Sequence, residues 1–194
     1  DELSNQAKDY TFGNEYKTDV MGKQYLWNVF SHNSPISENG YNEEENKIIN
    51  EIDKIFNNAF DITATCIRVP VLRAHCESVH IEFMEDWCNI SNEEKITCNK
   101  ENDYNNNSNY VKGENAIRTI LENANGVSVL DDRKNNQFPE PIIASDKDDI
   151  FVGRIRHDKD IFNNNCYQMF ISGDQLRKGA ALNALQIYEL LLED

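Results

Sequence analysis

Apolar positions along this chain switch between two spacings, and each switch marks an expected element. Ile48, Ile49, Ile52, Ile55 and Phe56 recur three or four residues apart, which places them on one face of a helix. Asn42 stands at its start with Glu45 three residues on, a capping-box arrangement, and Asn57-Asn58 stands at its end. The spacing therefore predicts an amphipathic helix over about 43 to 57. From Asp61 to Val71 the β-branched content rises, and Ser78 to Met84 alternates Val79, Ile81 and Phe83 with polar residues, so two strands are expected. Pro70 has no N–H for a ladder, so the first of these must bulge, end or lie at an edge there. The first 40 residues show weak periodicity, with Tyr25, Leu26, Trp27, Val29 and Phe30 as one apolar cluster.

Residues 98 to 112 have neither period and read as a flexible loop insertion. Ala116, Ile117, Ile120, Leu121 and Ala124 then predict a helix over about 114 to 125, stopped by Gly126 and followed by a strand over 127 to 130. Two more apolar strands are expected over 150 to 156 and 167 to 172. A closing helix over 175 to 192 carries apolar residues on more than one face and so needs covering on several sides. Strands and helices in this order make an α+β layer architecture in one domain, with no repeated βαβ unit and no glycine-rich dinucleotide turn.

Composition narrows the function. Nineteen Lys and Arg against 34 Asp and Glu give a net charge of -15, which opposes binding to nucleic acid or an acidic membrane surface. No apolar run approaches the length of a bilayer span, and the first residues do not read as a secretion signal. The five cysteines are an odd number and form no CxxC pair, so neither a disulfide framework nor a metal site is expected; small buried hydrophobes are the plainer reading. The 27 asparagines cluster in polar runs that bury nothing, such as Asn105 to Asn107 and Asn163 to Asn165.

Against that acidic background, Arg68, Arg73 and His75 stand close together in the segment Thr65 to His75. Guanidinium groups match carboxylate or phosphate, and a neighbouring imidazole can move protons near neutral pH, so an anionic small-molecule substrate is the functional reading. The ordinary alternative is a pair of surface arginines beside a satisfied histidine. Glu44 and Lys47 share one face of the first expected helix, where they could grip an ammonium and an anion or simply pair with each other.

Four segments, in order, carry a resemblance to a known family: Asn39-Gly40 followed by Glu44-x-x-Lys47, Ala64 to His75, Phe151 to Asp158, and Leu176 to Ile187. Together they resemble the second half of aspartate-semialdehyde dehydrogenases over nearly the whole chain, apart from the asparagine-rich stretch. The resemblance implies NADPH-dependent reductive dephosphorylation of L-aspartyl-4-phosphate to L-aspartate 4-semialdehyde, on the route to lysine, methionine, threonine and isoleucine. It also implies the architecture of the C-terminal domain of glyceraldehyde-3-phosphate dehydrogenase: a mixed, largely antiparallel sheet with helices on one face, and a homodimer. By match to the family motif, His75 is the expected acid/base group, Arg68 the partner of the substrate carboxylate, Glu44 that of the ammonium, and Lys47 that of the phosphate. Arg73 receives no role.

The departures matter equally. The family's nucleophile lies in an Asn-Cys-Thr motif that does not occur here, and neither Cys66 nor Cys76 replaces it. The chain is therefore expected to lack the N-terminal NADP-binding half and to be inactive alone, as the catalytic and dimerisation domain of a cytoplasmic enzyme, or an organellar one if a targeting segment preceded Asp1. Two alternatives stay open: a catalytically inactive dimerisation or interaction module, and a related acyl-phosphate reductase.

Overall fold

A computed structural model describes residues 1–83, 108–158 and 165–192, and the chain packs as two compact units, Asp1–Leu72 and Arg73–Asp194. The first unit opens with helix α1 (Glu2–Thr11), which the weak periodicity of this region conceals. Its buried positions are Leu3 and the polar Gln6, so no apolar stripe marks it. Gln6 works as a bracket for the irregular chain that follows: Oε1 accepts from the N–H of Tyr25 and Leu26 at 2.8 and 2.9 Å, and Nε2 donates to the Lys17 carbonyl at 2.9 Å. Glu2 accepts from Val20 and Met21 N–H in the same way. Side chains thus satisfy backbone groups that no ladder reaches.

Helix α2 (Glu43–Phe56) follows the spacing closely. The capping box is complete in both directions, and the helix stops at Asn57 in the left-handed region, a conformation asparagine tolerates. The expected strand over 61 to 71 shrinks to β2 (Ile67–Arg68), paired antiparallel with β1 (Phe30–Ser31) so that Phe30 faces Arg68. Two facts end it. On one side the Cys66 N–H is taken by the Glu45 side chain, and on the other the chain turns at Pro70, with Val71 N–H bonded to the Val69 carbonyl.

The second unit is built on a four-stranded sheet of order β3 (His75–Glu82), β6 (Cys166–Gly173), β5 (Ile150–His157), β4 (Val127–Val129). The β3–β6 and β6–β5 pairs are antiparallel and β5–β4 is parallel, a mixed and largely antiparallel sheet. β3 begins earlier than the alternation suggests, because its first four residues are all exposed and show no period. Val79, Ile81, Met169, Tyr167 and Val152 share one face, against which helix α3 (Ser108–Glu122) packs Ile117 and Leu121. Gly113 on that helix leaves room for the Tyr167 ring; an added Cβ would lie 1.7 Å from its hydroxyl. Of the loop expected over 98 to 112, residues 98–107 lie outside the described residues, while 108–112 open α3.

β5 carries a bulge between Gly153 and Arg156, which explains why Ile150, Val152 and Ile155 break strict alternation. Arg154 there has φ +54°, and the Asp131 carboxylate holds the irregular backbone by accepting from Arg154 and Ile155 N–H. A short helix, α4 (Pro141–Ala144), precedes β5. The closing helix is interrupted: a π-helical turn over Arg177–Ala181 leads into α5 (Leu182–Leu190). Hydrogen bonds in this turn step five residues, from Gly179 N–H to the Asp174 carbonyl and from Ala181 N–H to that of Leu176. No residue of α5 is buried, and Leu185, Ile187, Tyr188, Leu190, Leu191 and Leu192 stand exposed, so the described residues do not supply the covering that this segment needs. Among the described residues no helix is long and apolar enough to cross a membrane.

Candidate functional site

In the first unit, two buried side chains fix the frame on which three of the expected site residues sit. Glu45 accepts from the Asn42 N–H through one oxygen (2.8 Å) and from the Cys66 N–H through the other (2.7 Å), while Asn42 Nδ2 donates to the Cys66 carbonyl at 3.4 Å. The Cys66 peptide is therefore held on both sides by the first turn of α2. These backbone bonds, from Cys66 first and then Asn42, keep the Glu45 carboxyl below its ordinary range. Glu44 and Lys47 lie on α2 beside this clamp, and Arg68 lies two residues beyond Cys66.

Glu44 and Lys47 do pair with each other, Nζ to Oε1 at 3.2 Å, and this contact holds the lysine above its ordinary value. Both are solvent-exposed, so the pair is weak and its heads are available to incoming charges. Arg68 is more firmly held. Its Nε and Nη2 both donate to Asn33 Oδ1, at 3.2 and 3.0 Å, and Nη2 also meets His32 Nε2 at 2.8 Å. Nη1 has no hydrogen-bond partner among the described residues. Sequence reading missed His32 and Asn33, since both fall in the Ser31 to Gly40 loop with no pattern around them. Only the β1–β2 register brings them to Arg68.

In the second unit His75 opens β3, exposed and opposite Gly173. β2 has ended at Arg68, so the two residues occupy different strands and the parity of one unbroken strand does not apply to them. The residue before His75, Ala74, has φ +77°, a strained conformation for a side chain with Cβ. Three contacts hold it: Ala74 N–H donates to Gln175 Oε1 at 2.8 Å, Ser172 Oγ donates to the His75 carbonyl at 3.1 Å, and Arg73 Nε meets Asp174 Oδ2 at 2.8 Å. Arg73 also reaches Asp146 at 2.8 Å. Arg73, to which the sequence assigned no role, is thus a structural anchor for the backbone that presents His75.

Asp174 is excluded from solvent. Burial works to raise its pKa, but this is outweighed by backbone N–H donors from Asp146, Leu176 and Arg177 together with the Arg73 guanidinium, and the carboxyl falls to about 2. Cys76 follows His75 on the opposite face of the strand and donates to Ser172 Oγ at 3.4 Å. Desolvation around its sulfur pushes the thiol up, which favours the unreactive protonated form.

The resemblance implies a dinucleotide cofactor, and the described residues do not form a cradle for one. The parallel pair β4–β5 is the place where a βα-type turn could bind pyrophosphate. Its connection instead carries Asp131, Asp132, Asp146, Asp148 and Asp149 and contains no glycine. A pyrophosphate would meet repulsion there rather than backbone N–H groups.

A mixed, largely antiparallel sheet with a helix packed on one face is the architecture of the glyceraldehyde-3-phosphate dehydrogenase-like C-terminal domain class. Residues 1–178 match the model of the family described as semialdehyde dehydrogenase, dimerisation domain, and the chain belongs to that family. It is 45% identical over 192 residues to an aspartate-semialdehyde dehydrogenase of Prochlorococcus marinus, covering 98% of this chain and 48% of that protein. With the aspartate-semialdehyde dehydrogenase of a Synechocystis species it shares 39% identity over 194 residues, 100% of this chain and 49% of the relative. Among solved structures, aspartate semialdehyde dehydrogenase II of Vibrio cholerae complexed with ASA superposes with a TM-score of 0.78 at 30% identity, covering 100% of this chain and 49% of that one. The chain spans about half the length of the curated relatives it matches.

Proposed function

We propose that this chain is the catalytic and dimerisation part of an NADP-dependent aspartate-semialdehyde dehydrogenase, which converts L-aspartyl-4-phosphate to L-aspartate 4-semialdehyde and phosphate. The observation that supports it most is the conjunction of family membership over residues 1–178 with solvent-facing Glu44 and Lys47 on the helix that also clamps the strand of Arg68. In this reading Arg68 meets the substrate carboxylate, Glu44 its ammonium and Lys47 its phosphate, each a match of opposite charge. The exposed Glu44–Lys47 pair opens at little cost when a zwitterionic phosphate arrives. His75 moves the proton, giving it to the oxygen of the carbonyl as it is reduced. The nucleophilic cysteine and the NADP site belong to sequence outside this chain. Bound at that site, NADPH would supply the hydride.

The dimer proposed for this part would use the sheet face opposite α3. There His80 Nδ1 meets Asp158 at 3.2 Å, Gln168 Nε2 donates to Asp158 at 2.7 Å, and Arg156 pairs with Gln168. Such a polar network suits a self-complementary interface about a two-fold axis.

The test is phosphate-dependent reduction of NADP by L-aspartate 4-semialdehyde in the intact protein, the reverse reaction. Turnover supports the proposal. A protein that binds neither substrate nor cofactor, yet still associates, would instead be an interaction module. Turnover with an N-acetylated glutamate semialdehyde in place of the aspartate compound would mark the related reductase.

A further inference from the structure

The polar contacts around Arg68 assign a role to a histidine outside the expected set. His32 Nε2 lies 2.8 Å from Arg68 Nη2, and guanidinium nitrogens can only donate, so Nε2 must be the acceptor. A neutral imidazole has one N–H, which then sits on Nδ1. Ser34 Oγ lies 3.0 Å from that nitrogen and can accept its proton, while the Ser34 backbone N–H points at the same nitrogen from 3.3 Å and competes for it. The same Oγ accepts from the Glu43 N–H at 3.2 Å, one of the unpaired donors at the start of α2. A continuous chain of hydrogen bonds therefore runs from the first turn of α2 through Ser34 and His32 to Arg68. Two donors in it are fixed by their chemistry, Glu43 N–H to Ser34 Oγ and Arg68 Nη2–H to His32 Nε2, and the second of these sets the imidazole proton on Nδ1.

We propose that His32 is a positioning residue for Arg68: as a neutral imidazole it holds the guanidinium, together with Asn33, so that Nη1 faces the anionic group of the substrate. This rests on the reading of Arg68 given under the proposed function. Arginine has many rotamers, and fixing its plane beforehand removes an ordering cost from binding. Two acceptors on the Nε and Nη2 side leave a defined direction of approach for the ligand. Protonation of His32 undoes this, because an imidazolium has no acceptor and places a positive charge against Arg68.

The charged groups facing His32 are Arg68 from β2 and Glu43, Glu44 and Glu45 from α2. Desolvation first and Arg68 second lower its pKa, and these outweigh the three glutamates, which act the other way. His32 is therefore neutral at pH 7. The holding contact is fully present above the ordinary histidine value of about 6.5 and is lost as pH falls through the lowered value.

The experiment compares Arg68→Lys, His32→Ala and His32→Gln in the intact protein, following KM for the semialdehyde and kcat between pH 5.5 and 8. Glutamine can offer an acceptor oxygen to Arg68 without titrating. His32→Ala should raise KM about tenfold, the scale of one lost hydrogen bond to a charged group, with a smaller change in kcat. His32→Gln should recover most of that loss at pH 7.5, and its KM should rise less than that of the wild type towards pH 5.5. The ring nitrogen resonances of His32 supply a readout independent of activity. They should report the Nδ1–H tautomer at pH 7.5. If Arg68→Lys leaves KM unaltered, the reading of Arg68 fails and the proposal goes with it. If Arg68→Lys raises KM while His32→Ala does not, or if the ring carries its proton on Nε2, the positioning role alone is overturned.

Discussion

Asp174 and Arg73 stand 101 positions apart in the sequence and meet at 2.8 Å, with the carboxylate shut away from solvent. This one side chain gathers two stretches of backbone, the Asp146 N–H after α4 and the Leu176 and Arg177 N–H groups that open the closing helix, together with the guanidinium of the arginine two residues before His75. It fixes the end of β6 and the start of β3 together.

Asp174→Asn keeps the shape and removes the charge, and it turns an NH2 group towards donors that need an acceptor. The expected cost is about 3 kcal/mol, the range for breaking a buried, hydrogen-bonded ion pair, read as a lower urea midpoint. The folded carboxyl lies at about 2, below its ordinary value of 3.8, so its contribution is complete above about pH 4. It is lost as pH falls from there towards 2. Wild type and Asp174→Asn should therefore differ at pH 7 and converge near pH 2. A difference that persisted undiminished at that pH would show that the charge is not what Asp174 contributes.

How much of this was legible beforehand depends on which groups satisfy the backbone. α2 was readable almost to the residue, because its apolar stripe and its caps agree. α1 was not, since its inward residue is a glutamine whose partners lie up to 20 positions away. The strand expected over 61 to 71 shrank because a glutamate from α2 took the N–H that a neighbouring strand would have used. Glu44, Lys47, Arg68 and His75 were named from local motif and resemblance. The groups that orient them, His32, Asn33, Ser172 and Asp174, could not be, because each reaches its partner across the fold and leaves no local pattern.

The capping box of α2 offers a test of the site's frame. Asn42 is fully buried and serves both the helix and the Cys66 carbonyl, so Asn42→Ala should destabilise the protein by about 1 to 2 kcal/mol, while Asn42→Asp should retain the cap and lose less. Thermal melts of the two variants check this. Equal losses would mean that the Nδ2 contact to Cys66, rather than the cap, is what matters.

Gly153 sits where β5 begins its bulge, and a Cβ added there would lie 2.1 Å from the Leu130 carbonyl oxygen and 2.6 Å from Pro139. Neither neighbour is a flexible side-chain end. Gly153→Ala should therefore cost about 3 kcal/mol, at the upper end for overpacking. Gly179→Ala, where the nearest atom is 3.5 Å away, should be tolerated far better in the same urea titration.

The roles proposed for Arg68 and His75 predict different kinetic signatures in the intact enzyme. In its proposed role Arg68 binds by geometry: its guanidinium is held by Asn33 and His32, and Nη1 would meet the carboxylate. A lysine at this position keeps the charge but cannot span the same acceptors, so Arg68→Lys should raise KM for the semialdehyde with a lesser fall in kcat through misalignment. In its proposed role His75 moves a proton, and the backbone around it is held by Ser172, Gln175 and the Arg73–Asp174 pair whatever its side chain. His75→Asn should accordingly leave KM nearly unchanged and lower kcat by about 100-fold or more, flattening the pH profile. Arg73→Gln adds a third pattern. It removes a support of the His75 backbone and no proposed substrate contact, so kcat should fall by less than in His75→Asn, with a matching loss of stability. Near-normal turnover and an unaltered pH profile in His75→Asn would return that residue to an ordinary surface histidine at the head of β3.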